Sequence, residues 1–215
     1  MNRPLRHAII ACHPVQTSFT LAIAQRYAEA VRSHDHEAIV RDLYRLDFDP
    51  VLKAAERDGE PASDVVAEWD ALGEIDVFVL VYPIWFGAPP AMLKGYIDRV
   101  FGAGRLRGAA REGARSSILH GKHLVSLTLS GSMRAWLDEK GVLGSLRNLF
   151  DGYLGDLFGL PETHHYHFDG VQAGLPERDY RFHLAAVDEA AAEVLSRIGH
   201  MWSKNPNAGE PPIGG

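Results

Sequence analysis

The segment at residues 75–82, IDVFVLVY, constrains the fold of this 215-residue chain more than any other. It is apolar at nearly every position and is followed directly by Pro83. A strand with two apolar faces is typical of the interior of a parallel sheet, because helices cover both sides of such a sheet. We therefore expect further strands beside this segment and helices above and below it.

The rest of the chain alternates between strand and helix patterns. Strands are predicted at residues 7–12, 38–40, 75–82, 123–129 and 164–168. Helices are predicted at residues 18–32, 62–72, 90–101, 143–158 and 178–202. Residues 42–59 show little periodicity and predict an irregular connection. This alternation predicts an α/β fold, a three-layer sandwich built on a parallel sheet.

The length, net charge and cysteine content of the chain limit its domain organisation, its partners and its cellular location. Its length suits one domain, which we assign to residues 1–204, followed by a loose Gly- and Pro-rich tail at 205–215. The net charge of -6 argues against general binding to nucleic acid or to anionic membranes. Cys12 is the single cysteine, which fits a cytoplasmic protein. The apolar run at 8–12 is too short for membrane insertion.

The loop between the first strand and the first helix, residues 13–20, is the first candidate for ligand binding. Ligands of open parallel sheets bind beyond the carboxyl ends of the strands. A helix N-terminus there offers unpaired N–H groups and the positive end of a dipole, which suit a phosphate. Ser18 and Thr20 add hydroxyls and His13 adds a ring N–H. Taken alone, the loop favours a plain helix cap at Ser18, with His13 at the surface.

The second candidate loop, residues 82–90 (YPIWFGAPP), follows the buried central strand. Trp85 and Phe86 stand side by side in it, although exposed aromatic surface is unfavourable. Prolines and Gly87 stiffen the segment, so it can form a rigid shelf on which a flat conjugated ring stacks. Packing of the two aromatic residues in the core or in a subunit interface is the alternative.

The third candidate loop, residues 128–132 (TLSGS), follows the fourth predicted strand. Its small residues let another group approach the backbone closely. Backbone amides aimed at the edge of a ring stabilise negative charge on that ring.

Two of these segments resemble NAD(P)H:quinone oxidoreductases, a family of flavodoxin-like fold. Residues 82–101, YPIWFGAPPAMLKGYIDRVF, are similar to the family's proline, aromatic pair, glycine and proline, followed by L-K-G-aromatic-x-x-R-V-F. The H-x-x-x-T-S-F segment at 13–19 lies where the family has its phosphate loop. The resemblance implies a flavodoxin-like three-layer sandwich with a five-stranded parallel sheet in the order 2-1-3-4-5.

The resemblance also implies a flavin site. In the family the first loop holds the flavin phosphate, the second lies along the isoalloxazine and the third touches the pyrimidine edge. A family aromatic near the ring falls on Trp136, and a Glu–Arg pair that serves the adenine half of FAD falls on Glu177 and Arg181, whose spacing also fits an ordinary helix ion pair. The implied cofactor-binding residues are His13, Ser18, Phe19, Thr20, Ile84, Trp85, Phe86, Gly87, Thr128, Leu129, Ser130, Gly131, Trp136, Glu177 and Arg181.

The chain departs from the family beyond the third loop. Animal members carry T-T-G-G where this chain has TLSG at 128–131, and a Tyr and a His that fall here on Trp136 and Val142. Tyrosines that cover the family's substrate pocket fall on residues 106–109. We expect a retained flavin shelf and an altered acceptor pocket, and we assign no catalytic residue and no metal ligand.

The resemblance implies a flavin-dependent oxidoreductase. FAD is the expected cofactor, with FMN as the alternative, and NAD(P)H is the expected hydride donor to a quinone-like acceptor in a ping-pong mechanism. A homodimer is expected. The rival functions are a flavodoxin-like electron carrier and a soluble regulatory subunit of a membrane transporter; the LKGY block at 93–96 argues against the carrier.

Three other reactive-looking features have simpler interpretations. Cys12 ends a buried strand, so we expect a buried thiol and no nucleophile. His164, His165 and His167 lack a carboxylate or cysteine partner in the sequence, so we expect a solvated edge strand and no metal site. Ser130 is not in a G-x-S-x-G motif, which argues against a serine hydrolase.

Overall fold

The computed structural model describes residues 3–58, 60–102 and 117–204, apart from the side chains of residues 58 and 202–204. Its five strands are all parallel and form one sheet in the order β2-β1-β3-β4-β5, which confirms the predicted fold. The strands are β1 Arg6–Ala11, β2 Glu37–Asp42, β3 Val77–Pro83, β4 His123–Leu129 and β5 Thr163–Phe168. Every residue of β3 and β4 is buried, as the two apolar faces of the central segment predict.

Helices cover both faces of the sheet. They are α1 Phe19–Ser33, α2 Ala54–Asp58, α3 Ser63–Leu72, α4 Ala91–Tyr96, α5 Arg134–Glu139, α6 Val142–Leu146, α7 Leu154–Phe158 and α8 Glu177–Lys204. On one face α1 and α8 pack over side chains such as Ile9 and Leu127. On the other face α3, α4 and α7 pack over side chains such as Leu80 and Leu124. Within the described ranges no helix has the length and apolar character needed to cross a membrane.

Some helix predictions need correction. The helices predicted at 90–101 and 143–158 contain π-helical turns at Ile97–Gly102 and Arg147–Tyr153. The connection predicted as irregular at 42–59 contains α2, and α5 was not predicted. Both α2 and α5 are short, and the sequence pattern of one or two turns does not distinguish a helix from a loop. The tail at 205–215 and the pocket residues at 106–109 lie outside the described residues.

A buried arginine explains why α2 forms. The Arg99 guanidinium donates hydrogen bonds to the carboxylates of Glu56 and Asp64 and to the carbonyl of Asp49. The Arg99 side chain is only 2% exposed, so its charge requires these partners. The segment that precedes α3 is thereby attached to the π-helical turn after α4.

Gly95 of the LKGY block lies against the same segment. A Cβ atom on Gly95 would be 2.2 Å from the carbonyl oxygen of Pro50 and 2.6 Å from its Cα. Backbone atoms cannot move away as the end of a flexible side chain can. The glycine of this block therefore serves the packing of the fold.

We expect Gly95→Ala to lower the free energy of unfolding by about 3 kcal/mol, since the added methyl overlaps backbone atoms. Gly199→Ala, in the interior of α8, is the matched control because its Cβ would meet nothing within 4 Å. The control should raise the free energy of unfolding by about 0.4–1 kcal/mol. Urea denaturation measures both, and equal effects of the two substitutions would contradict the close packing at Gly95.

Candidate cofactor site

A cavity of about 650 Å³ lies beyond the carboxyl ends of β1, β3, β4 and β5. Four loops line it, at residues 13–20, 83–85, 129–131 and 171–175, together with Tyr180 of α8. The parallel sheet brings these loops together because all strands end at the same edge. The first three are the loops that the sequence predicts.

The first loop presents the N-terminus of α1 to the cavity. Ser18 is the N-cap, and its Oγ accepts a hydrogen bond of 3.3 Å from the N–H of Leu21. The N–H groups of Phe19 and Thr20 have no backbone acceptor in the described chain, as is usual in the first turn of a helix. This end of the helix can therefore bind an anion.

His13 adds a second donor to the same wall. The N–H of Val15 donates to His13 Nδ1 at 3.1 Å, so Nδ1 carries no proton. Burial lowers the pKa of His13, which favours the neutral ring. The proton of the neutral ring is consequently on Nε2, which leaves an N–H donor for a ligand. The ring also contacts Trp85 edge-on, with centroids 5.9 Å apart.

The second loop is a tight turn with unusual backbone angles. Trp85 and Ala88 exchange two backbone hydrogen bonds, and the residues between them, Phe86 and Gly87, have φ values of 52° and 80°. Trp85 lines the cavity, whereas Phe86 is fully exposed. A side chain at positive φ costs about 1–2 kcal/mol, and a fully exposed Phe recovers none of this by burial.

The third loop lines the cavity with Leu129, Ser130 and Gly131. The N–H of Ser130 donates to the Phe168 carbonyl, while the N–H of Gly131 has no backbone acceptor in the part of the chain that is described. Gly131 thus offers a backbone donor at this wall.

The fourth loop, residues 171–175, follows β5 and was not predicted as part of the site. It is fastened to the third loop, since the Val171 N–H and the Gln172 amide donate to the carbonyls of Ser130 and Gly131, each at 2.8 Å. Behind it, the Tyr180 ring packs on the Phe19 ring at 4.9 Å. The strand-end rule that selected the other loops, together with the G-x-x-x-G spacing of residues 170–174, was the available signal.

Comparisons with known proteins agree with this architecture. A family model described as "Flavodoxin-like fold" matches residues 6–194. An uncharacterized NAD(P)H oxidoreductase of Haemophilus influenzae is 33% identical over 90% of this chain and 96% of its own length. An NAD(P)H dehydrogenase [quinone] 1 of Rattus norvegicus is 30% identical over 94% of this chain and 79% of its own. The chain belongs to the NAD(P)H:quinone oxidoreductase family.

A solved structure shares the fold. The NAD(P)H:quinone oxidoreductase from Methanothermobacter marburgensis aligns with a TM-score of 0.73 and 21% identity, over 89% of this chain and 98% of the other. The likeness in fold therefore covers most of both chains.

The structure places the implied cofactor residues in two groups. Those that line the cavity are His13, Ser18, Phe19, Thr20, Ile84, Trp85, Leu129, Ser130 and Gly131. Those outside its lining are Phe86, Gly87, Thr128, Trp136, Glu177 and Arg181. Glu177 and Arg181 form an exposed ion pair of 2.7 Å on α8, and Trp136 is half-exposed on α5. For both groups the cofactor role stays a prediction.

The other reactive-looking residues are buried. Cys12 is fully buried, which confirms the expected burial, and this burial raises the pKa of its thiol to about 12. β5 is an edge strand, but the prediction that it is solvated is wrong at His164 and at His165. The segment 134–158 covers that strand, and the His165 side chain, hydrogen-bonded to Asp151, is only 4% exposed.

The strain at Phe86 leads to a stability prediction. Phe86→Asn should raise the free energy of unfolding by about 1 kcal/mol, because Asn-Gly suits a turn with two positive φ angles. Val51→Asn, at an exposed apolar position outside helices and strands, should change it by less than about 0.5 kcal/mol. Urea denaturation measures both substitutions, and a less stable Phe86→Asn variant would show that the exposed ring stabilises the fold.

Proposed function

We propose that the chain is a flavin-dependent oxidoreductase that transfers hydride from NAD(P)H to a quinone-like acceptor. The observation that carries the proposal is the cavity of about 650 Å³, which is lined by the N-terminus of α1, the indole side chain of Trp85 and the backbone of Gly131. Its volume lies in the range of cofactor sites, about 300–1,000 Å³.

The residues that line this cavity fit a flavin. The N–H groups of Phe19 and Thr20 and the His13 Nε2–H suit a phosphate, which needs several donors near one point. Trp85 offers an indole on which a flat ring can stack. The unpaired N–H of Gly131 suits an acceptor atom at the edge of that ring.

A flavin held by these residues would supply the hydride chemistry between NAD(P)H and the acceptor. The residues of the chain would bind and orient the flavin and polarise its ring. Trp85 would hold one face of a bound ring and leave the other to the two substrates, while the Gly131 N–H would place a positive dipole near the negative charge that develops on the ring. Because both substrates need the same open face, we propose a ping-pong mechanism.

FAD is the cofactor that we propose, with FMN as the alternative. The cavity continues past the phosphate-binding helix end to the fourth loop and to Tyr180, which FMN does not require. Glu177 and Arg181 lie within one helical turn of Tyr180, so an adenine beside Tyr180 is near that exposed pair. Chromatography of the released cofactor distinguishes the two flavins.

We also propose that the protein is a cytoplasmic homodimer. The exposed side chains of Leu149 and Tyr153 lie at a second, largely apolar cavity of about 470 Å³, and burial against a second copy would remove both from water. The single, buried cysteine suits a reducing compartment. Light scattering of the purified protein should give twice the chain mass of 23.7 kDa; the mass of one chain would refute the dimer.

Substitution of Trp85 tests whether a flavin stacks on its indole ring. We expect Trp85→Ala to weaken flavin binding by about tenfold or more, or ~1.4 kcal/mol, through lost stacking. Trp136→Ala should change it by less than about twofold, since Trp136 does not line the cavity. Titration of flavin fluorescence measures both affinities. A larger loss of affinity for Trp136→Ala would show that Trp136 contacts the ring, as the family resemblance implied, and that the cavity lining misses it.

Steady-state kinetics test the mechanism. Initial rates at several fixed quinone concentrations, plotted as reciprocals against NAD(P)H, should give parallel lines, because the donor product leaves before the acceptor binds. Converging lines would mean that both substrates are bound at once and would exclude a shared face.

A further inference from the structure

A line of buried polar side chains runs through β4 and β5 and ends at the cavity. We call it the polar chain, and its members are, in order, Asp151, His165, Thr128, His167 and Ser130. The four distances between neighbouring polar atoms are 2.6, 2.9, 2.9 and 3.1 Å. At its end, the Ser130 hydroxyl contacts the Ser132 carbonyl at 2.7 Å, which makes a fifth link. Both nitrogens of both histidine rings are used.

The polar chain is shielded from water along most of its length. Thr128 is fully buried, and the side chains of His165 and Asp151 are 4% and 8% exposed. The second Asp151 oxygen accepts a hydrogen bond of 2.8 Å from Ser126. Ser130 is the one member that lines the cofactor cavity. A buried network of this kind is favourable only when its links are satisfied.

The number of available hydrogens shows what the links of the polar chain need in order to be satisfied. With Asp151 ionised and both rings neutral, His165, Thr128, His167 and Ser130 supply one hydrogen each. The Thr128 hydroxyl also lies 3.3 Å from the Tyr166 carbonyl, a longer contact than its two contacts of 2.9 Å with the histidine rings. The five links of the polar chain share four hydrogens, so one link lacks a hydrogen. One additional proton fills all five, and it also balances the charge of the buried carboxylate.

The position of that proton follows from the surroundings. Burial, and the proximity of His165, lower the pKa of His167 to about 4, whereas His165 touches the Asp151 carboxylate. The carboxylate, 2.6 Å from His165 Nδ1, makes that ring the favoured place for the additional proton on geometric grounds. In this loaded state the Thr128 hydroxyl donates to His167 at 2.9 Å in place of the Tyr166 carbonyl at 3.3 Å. Every link then points the same way, from His165 through Thr128 and His167 to Ser130, whose hydroxyl donates to the Ser132 carbonyl.

We propose that the polar chain stores one proton and delivers it through Ser130 to the acceptor in the cavity. The inference rests on the proposed function, in which a quinone-like carbonyl takes hydride and becomes an oxyanion that needs a proton. The Ser130 O–H bond breaks as the product O–H bond forms. His167 Nε2 then reprotonates Ser130, Thr128 reprotonates His167 Nδ1, and His165 Nε2 reprotonates Thr128. His165 ends neutral, and no member of the polar chain is oxidised or reduced.

A separate opening allows the store to refill. His165 and His167 line a small cavity of about 220 Å³ at the outer edge of β5, away from the cofactor loops. The charged and titratable groups that face the pair there are Arg134, Arg147, Asp169 and His183, with Asp138 paired to Arg134 at 3.6 Å. A proton can reach His165 from water at this side while the cofactor cavity is occupied. Arg134 and Arg147 oppose the additional charge, whereas Asp151, Asp169 and Asp138 favour it.

Nuclear magnetic resonance of the flavin-free protein tests the store. Two-bond proton–nitrogen spectra of histidine-labelled protein at neutral pH report which ring nitrogens carry hydrogens. We expect both nitrogens of His165 to be protonated and His167 to carry its hydrogen on Nε2. A neutral His165, or a hydrogen on His167 Nδ1, would overturn the proposal, because the links would then point away from the cavity.

Enzyme kinetics test the delivery with a matched pair of variants. Thr128→Val removes the central hydroxyl and Thr128→Ser keeps it. Each is assayed with benzoquinone, whose reduction consumes protons, and with ferricyanide, whose reduction does not. We expect the quinone-to-ferricyanide rate ratio to fall at least about tenfold in Thr128→Val and to be retained in Thr128→Ser. A merely structural loss would slow both acceptors equally.

The outcomes separate the two proposals. Equal rate ratios in an active wild-type protein and in both variants would overturn the proton delivery alone. A wild-type protein that binds flavin but reduces neither acceptor would overturn the proposed function, and the delivery step with it.

Discussion

The parallel pairing of β1, β3 and β4 is the constraint on which the rest of the structure depends. β3 and β4 are buried along their full length, so helices must cover both faces of the sheet and each connection must return along the outside. All strands consequently end at one edge. The N-terminus of α1, Trp85 and the Gly131 amide lie far apart in sequence, yet the sheet brings them to one cavity.

The block that carries the family resemblance has two separate tasks. Its first half, around Trp85, lines the cavity. Its second half contains Gly95, which allows the close approach of Pro50, and Arg99, which binds Glu56 and Asp64. This second half therefore holds the scaffold together and does not touch the cavity. In this half of the block, the residues that carry the family resemblance serve the packing of the fold.

The sequence was informative where a pattern is local. The two apolar faces of the central strand and the alternation of elements predicted the sheet, and loop chemistry predicted three walls of the cavity. The fourth loop and α5 lack a strong local pattern. The polar chain could not be predicted, because Asp151 and His165 meet only when the π-helical turn packs on β5. The burial of Thr128 beside both histidines depends on the register Thr128↔His167.

The central claim is that this cavity holds a flavin that exchanges hydride with two substrates in turn. The most direct test is an anaerobic spectrum of the flavin-loaded protein, first with NAD(P)H and then with a benzoquinone. The account predicts that the flavin absorption band is bleached by the nicotinamide and restored by the quinone. A bound flavin whose band is unchanged by NADH and NADPH, or a protein that binds no flavin, would contradict it.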